Sequence, residues 1–257
     1  MSEVSERLRK ALAKHDSLIV AVSGGVDSLT LASFAHSMTP VRVAHAVSPA
    51  VPPEATARVR DMAQAQGWDL HVLDAREFDD PAYLHNPLNR CYFCKTNLYA
   101  RIRETLPEGA IAAGTNTDDL GEYRPGLIAA SEHGVVHPYV EAGVSKTALR
   151  ELARGLGLGD VASLPAQPCL ASRIETGIAI DATDLAFVHR IETLLRAETG
   201  ADNVRCRMTA SGVKVEIDGD LPEGLRQRVA AICREEGRDF QGVARYRRGS
   251  AFVGAPQ

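Results

Sequence analysis

Ser17-Leu18-Ile19-Val20-Ala21-Val22-Ser23-Gly24-Gly25-Val26-Asp27-Ser28 is the stretch on which the fold turns. Its apolar run over residues 17–22 reads as a buried strand that stops at two adjacent glycines. A helix is expected over residues 29–38 and a second apolar strand over 41–47, which completes one βαβ unit. Ala55, Val59, Met62 and Ala63 then recur at helical spacing, residues 70–73 give a third strand, and helical residues 97–105 precede a fourth at 110–113. Such alternation predicts an α/β domain with a parallel sheet and helices on both faces.

A strand that runs through Ser-Gly-Gly-Val-Asp-Ser directly into a helix brings backbone amides and a helix N-terminus around an anion. Glycine lets the backbone approach a phosphate that a side chain would hold away. Ser23 and Ser28 add hydroxyls, and Asp27 can hold a magnesium ion that bridges phosphates. The spacing lacks the Gly-Lys-Ser/Thr of a Walker loop and the spaced glycines of a dinucleotide fold. The plainer reading is a tight strand-to-helix turn with a capping serine, and Asp27 as a helix cap.

Farther along, Ser145 is placed to cap a helix with Leu149, Leu152, Ala153 and Leu156 on its apolar side, and Gly157 stands where it should stop. Residues 157–167 read as a linker. Asp181 caps a further helix that faces Leu185, Val188 and Leu195 inward, with Glu192 read as a solvated charge. Val204, Cys206 and Met208 alternate with polar residues, as do Val213, Val215 and Ile217 after the turn Ala210-Ser211-Gly212, which predicts a hairpin. A helix through Val229 and Cys233 and a last strand near Val243 complete a small α+β unit. The expected domains are therefore 1–166 and 167–257.

With 45% hydrophobic and 24% charged residues, the composition is that of a soluble globular protein and excludes a disordered or fibrous chain. The charged N-terminus lacks the apolar stretch of a signal peptide, and no apolar run is long enough for a membrane span, so a cytoplasmic protein is expected. A net charge of −4 provides no global attraction for nucleic acid, which is not an expected partner. Five cysteines, an odd number in a reducing compartment, argue against a disulfide framework.

The hexapeptide at residues 23–28 resembles the PP-loop of the N-type ATP pyrophosphatase superfamily. Further motifs lie in Asn89-Arg90-Cys91-Tyr92-Phe93-Cys94-Lys95, Gly114-Thr115-Asn116-Thr117-Asp118-Asp119, Tyr123-Arg124-Pro125-Gly126, residues 138–146, Pro168-Cys169-Leu170-Ala171-Ser172-Arg173 and Tyr246-Arg247-Arg248-Gly249-Ser250. Together, and in order over nearly the whole chain, these resemble the LarE family of ATP-dependent sulfur transferases. The resemblance implies an adenine nucleotide alpha hydrolase-like PP-loop domain, followed by a C-terminal domain for substrate binding and oligomerisation. It implies adenylation of a carboxylate of a pyridinium mononucleotide and exchange of its oxygen for sulfur, in biosynthesis of a nickel-pincer cofactor. ATP, Mg2+, a sulfide or other sulfur donor, the other proteins of that pathway, and a homo-oligomeric state follow as expectations. A tRNA thiolase of the same superfamily is the main rival, and the acidic charge weighs against it.

Cys91 and Cys94 form a Cys-x-x-Cys pair, which by itself suits a metal site, a redox dithiol or unremarkable thiols. Cys169 is the third cysteine outside any apolar stripe, and three thiolates suit an iron-sulfur cluster with one open iron or part of a zinc site. The resemblance favours a 4Fe-4S cluster on Cys91, Cys94 and Cys169. In another branch of the family a cysteine at the position of Cys169 gives up its own sulfur. Cys206 and Cys233 lie on apolar faces and are expected in the core. Arg173, Arg205, Arg207 and Arg247 are the candidate fork-shaped donors for substrate phosphate and carboxylate, with Arg173 also a catalytic candidate beside Cys169. Asp118 and Asp119 follow the fourth strand and so sit at the carboxyl edge of the sheet, where Asp119 is an ATP-binding candidate. His45, at the same edge, reads more readily as a structural histidine than as an adenine contact.

Overall fold

A computed structural model of the chain describes residues 3–121 and 124–247. Tyr123, Arg248, Gly249 and Ser250, which belong to the motifs above, lie outside them. The chain divides into two compact units, the first made of Met1–Asp80 with Asn89–Gln167, the second of Pro81–Leu88 with Pro168–Gln257.

The first unit opens with α1 (Glu3–Leu12), β1 (Leu18–Val22), α2 (Val26–His36), β2 (Arg42–Val47), α3 (Pro53–Gln66) and β3 (Asp69–Asp74). A short helix, α4 (Pro81–Leu84), belongs to the second unit. The first unit resumes with α5 (Arg90–Thr105), β4 (Ala110–Ala113), α6 (Pro125–Glu132), α7 (Pro138–Glu141), α8 (Lys146–Gly155) and α9 (Gly159–Ser163). Its four strands are ordered β3-β2-β1-β4, and every pairing is parallel. Alternation along β1 explains its unbroken apolarity: Leu18, Val20 and Val22 enter a core with Leu8, Leu29, Tyr139 and Leu149, while Ile19 enters another with Tyr99, Ile102 and Ile111. A strand buried on both faces needs apolar residues at successive positions.

Three boundaries differ from expectation. Helix α2 begins at Val26 rather than residue 29, because Gly24 turns the chain at φ +81° and Gly25 is already the extended N-cap. Helix α5 begins at Arg90 rather than residue 97, so Cys91 and Cys94 are helical. Residues 91–98, which include Tyr92, Phe93 and both cysteines, are all half-buried and show no apolar period. The segment expected to be a linker contains α9, which buries Val161 and Ala162, and Arg150 of α8 donates to the carbonyls of Ala162 and Leu164.

The second unit holds α10 (Ala182–Thr199), β5 (Val204–Thr209), β6 (Gly212–Ile217), α11 (Glu223–Glu235) and β7 (Phe240–Arg245). Its sheet is mixed, with β5 antiparallel and β7 parallel to the central β6. Asp181 caps α10 through the Thr183 amide at 2.7 Å. Residues 81–88 join this unit through Asn86, which is fully buried at φ +52° and donates to the carbonyls of Glu175 at 2.8 Å and Ile178 at 2.9 Å. The sequence reading, which keeps 1–166 together, has no local signal for this excursion. Among the described residues, no helix is long and apolar enough to cross a membrane.

Candidate active site

The loop after β1 is tied together by its serines. Ser28 Oγ accepts from the Ser23 amide at 3.0 Å, lies 3.3 Å from Ser23 Oγ and donates to the Gly25 carbonyl at 3.2 Å. Ser23 is exposed, whereas Gly24 is buried against α3, where a Cβ would stand 2.7 Å from the Ala55 carbonyl oxygen. Arg58 of α3 donates to the Gly24 carbonyl at 2.6 Å. Gly114, just past β4, passes so close that a Cβ there would lie 2.9 Å from the Ser28 amide nitrogen. Two glycines thus allow α3 and the end of β4 to pack against a loop that leads into a helix N-terminus, the arrangement that receives phosphate.

Asp27 lies in the first turn of α2 and bonds to three other residues of this edge. Lys146 Nζ lies 2.6 Å from each of its carboxylate oxygens, the Asn116 amide donates to Oδ1 at 3.4 Å, and the Tyr139 hydroxyl donates to its backbone carbonyl at 3.1 Å. Tyr139 is fully buried, and burial followed by the charge of Asp27 pushes its phenol well above the usual range, so it remains a donor. Lys146 is the first residue of α8, after Ser145, whose side chain accepts from the Ala148 amide at 3.3 Å. The Lys146 amide donates to Asp118 Oδ2 at 3.3 Å. Asp119 accepts from the Asn116 amide at 3.0 Å and pairs with Arg124 at 2.8 Å. The structure therefore gathers Ser23, Asp27, Ser28, Asp118 and Asp119 with three residues that received no role from the sequence, Asn116, Tyr139 and Lys146. One signal was available for Lys146: a cation at the first position of a capped helix opposes the helix dipole, so some other charge must hold it there.

His45 is structural. It is fully buried between the Val22 carbonyl and Thr56 Oγ1, each at 2.9 Å, and burial lowers its pKa. Burial likewise raises the pKa of Glu77, which follows β3.

Cys91 and Cys94 sit one turn apart at the start of α5, both half-buried. Cys169 precedes a 3-10 turn over Leu170–Arg173 and is also half-buried. All five cysteines are thiols. Cys206 and Cys233 are fully buried, and burial raises both thiols, that of Cys206 well above its usual range, which makes them inert core residues. Among the described residues, no three His, Cys, Asp or Glu side chains are grouped as a metal site. Cys91 and Cys94 belong to the first unit and Cys169 to the second; each is a partly accessible thiol, the donor type that iron-sulfur clusters take.

In the second unit, Arg173 is buried and forms a two-pronged pair with Glu192, at 2.8 and 2.9 Å. It also donates to the carbonyls of Pro168 at 2.8 Å and Cys169 at 3.2 Å. Glu192 is not solvated as expected but fully buried, accepting also from Arg196 and the Cys206 amide. Burial by itself would raise its pKa, but Arg173 and Arg196 outweigh burial and hold it below the usual range. Arg207 pairs with Glu216 at 3.0 Å and donates to the Ser172 carbonyl, and Arg205 lies 5.3 Å from the Tyr246 ring. Arg247 is exposed.

No protein-family model matches the chain. An uncharacterized protein of Synechocystis sp. is 36% identical over 90% of this chain and 86% of its own length. The pyridinium-3,5-bisthiocarboxylic acid mononucleotide synthase of Lactiplantibacillus plantarum is 28% identical over 80% of this chain and 76% of its own. This chain belongs to the LarE-like PP-loop family. An NMN synthetase structure from Francisella tularensis shares the fold, with a TM-score of 0.50 at 16% identity over 65% of this chain and 76% of that one. That likeness, together with the parallel four-stranded sheet, gives the PP-loop α/β fold.

Proposed function

We propose that this protein is an ATP-dependent sulfur transferase that adenylates a carboxylate of pyridinium-3,5-biscarboxylic acid mononucleotide and replaces its oxygen by sulfur, a step in nickel-pincer cofactor biosynthesis. The observation that carries this reading is the polar edge around Asp27 and Lys146, in a chain related to a protein named for making the bisthiocarboxylic acid mononucleotide. The loop of Ser23, Gly24, Gly25, Val26, Asp27 and Ser28 would receive the phosphates of ATP, with Lys146 as counter-cation and Asp27 and Asp119 as the carboxylates for Mg2+. A substrate carboxylate oxygen attacks the α-phosphorus and pyrophosphate departs; a sulfur nucleophile then attacks the acyl carbon and AMP leaves. Backbone amides and cations aimed at the phosphates would stabilise the charge that develops on the departing pyrophosphate.

The substrate phosphate and carboxylate are assigned to the exposed Arg247, a cationic fork-shaped donor, whereas Arg205 and Arg207 are buried and Arg207 is paired with Glu216. Arg173, occupied by Glu192, acts in this reading by fixing the Cys169 carbonyl. Cys91, Cys94 and Cys169 are the thiolates proposed to hold a 4Fe-4S cluster, which when bound would supply the transferable sulfide.

Anaerobically purified protein, supplied with ATP, Mg2+, the biscarboxylic acid mononucleotide and sulfide, should release AMP and pyrophosphate in step with a sulfur-containing product. Release with neither that substrate nor another pyridinium carboxylate would overturn the reading. Iron and acid-labile sulfide analysis tests the cluster. Loss of about 34 Da from the chain after one turnover, with no iron required, would instead show that Cys169 gives up its own sulfur.

A further inference from the structure

The ammonium of Lys146 lies 2.6 Å from each oxygen of Asp27, so a divalent ion that bound both oxygens of this carboxylate would have to displace it. Two cations cannot share the place. Asp27 is the fixed member: its backbone carbonyl is held by the buried Tyr139 hydroxyl, and Oδ1 keeps the Asn116 amide. Lys146 has an anchored backbone, on a helix capped by Ser145 and seated by the fully buried Leu149, but its charge rides on a flexible four-carbon stem. About a third of each side chain is open to solvent, 34% for Lys146 and 31% for Asp27, so an incoming ion can reach the pair.

We propose that Lys146 is a built-in placeholder for magnesium: it neutralises Asp27 while the site is without nucleotide, and arrival of Mg·ATP exchanges ammonium for metal and turns Lys146 toward a phosphate oxygen. This rests on the reading of Asp27 as the metal-holding carboxylate. The exchange makes metal binding favour the nucleotide-bound state, because the phosphates offer the displaced ammonium a new anion. A free divalent ion would have to displace Lys146 without phosphates to receive it.

The test titrates Mn2+ alone, read by its free-ion paramagnetic signal, into nucleotide-free wild type, Lys146→Gln, Lys146→Arg and Asp27→Asn. Loss of a partly exposed ion pair predicts that Lys146→Gln binds Mn2+ roughly fivefold more tightly than wild type, while Lys146→Arg stays near wild type. The same Lys146→Gln protein should bind ATP in EDTA several-fold more weakly, a change of opposite sign that general loosening of the fold cannot produce. Mn2+ binding to Lys146→Gln that is unchanged or weaker, with Asp27→Asn losing the site, overturns the exchange alone. If Asp27→Asn binds Mn2+ as wild type does, the metal role of Asp27 fails and the exchange with it. Lys146→Met, checked for an intact melting transition, replaces Lys146→Gln should that variant not fold.

Discussion

Each unit has an ion pair joined through two hydrogen bonds, and the two pairs live in opposite surroundings. In the first, Lys146 and Asp27 are each about one-third exposed, at the edge of the parallel sheet. In the second, Arg173 and Glu192 are 3% and 1% exposed, and Arg196 and the Cys206 amide complete the carboxylate's bonds. Water weakens the first pair and leaves it open to exchange; burial makes the second permanent, because separating it would strand a charge in the interior. Sequence alone could not rank these groups, since arginine in a matched motif looks equally functional whether its fork points at solvent or at a glutamate. The difference separates groups that can meet a ligand from groups that hold the fold.

The largest effect expected from this contrast is on stability. Glu192→Ala leaves Arg173 buried without its carboxylate and should cost about 3–5 kcal/mol, read as a lower urea midpoint. Asp27→Asn should leave that midpoint nearly unchanged, yet lower pyrophosphate release roughly a hundredfold, because the group it alters faces charge that develops in the reaction. A melting loss in Asp27→Asn as large as in Glu192→Ala would erase the distinction between the two pairs.

Titration sharpens it further. Glu192 has a folded pKa below its unfolded value, so its pairing contributes stability that is full above the ordinary glutamate range and is lost as pH falls through the lower folded value. Glu77, in the first unit, runs the other way: its raised pKa means the folded state binds the extra proton, so stability falls as pH rises from the ordinary range to the folded value, then levels. Unfolding followed between pH 3 and 7 should show the acid-side loss reduced in Glu192→Gln and the decline with rising pH reduced in Glu77→Gln. Identical pH profiles for wild type and both variants would contradict the assignment.

Much of this was legible from residues. The parallel sheet follows from β1, whose apolar positions run without a break, and the hairpin from the strict alternation in β5 and β6. Helix caps at Ser145 and Asp181 were readable because each cap is a local event of three or four residues. What was hidden is nonlocal. Asn86 joins the second unit through carbonyls some ninety residues away in sequence, and its own neighbourhood carries no trace of them. The burial of Glu192 depends on Arg173 and on the β5 backbone, neither of which shapes the periodicity of α10. Nothing local names the partner of Lys146, Asp27, which is 119 residues earlier.

The smallest effects compare the two caps. Ser145 accepts from Ala148 at the start of α8, and Asp181 accepts from Thr183 at the start of α10. Removing either oxygen by alanine orphans one amide and should cost about 1 kcal/mol of stability. Their consequences for the site should differ. The residue after Ser145 is Lys146, so fraying of that first turn loosens the backbone from which the ammonium reaches Asp27, and Ser145→Ala should weaken ATP binding about two- to threefold, on the scale of a partly exposed ion pair. The residue after Asp181 is Ala182, which carries no such group, and Asp181→Ala should leave ATP binding within error while lowering the melting temperature by a similar amount. Equal weakening of ATP by both caps would mean that general stability, and not the seat of Lys146, sets the affinity.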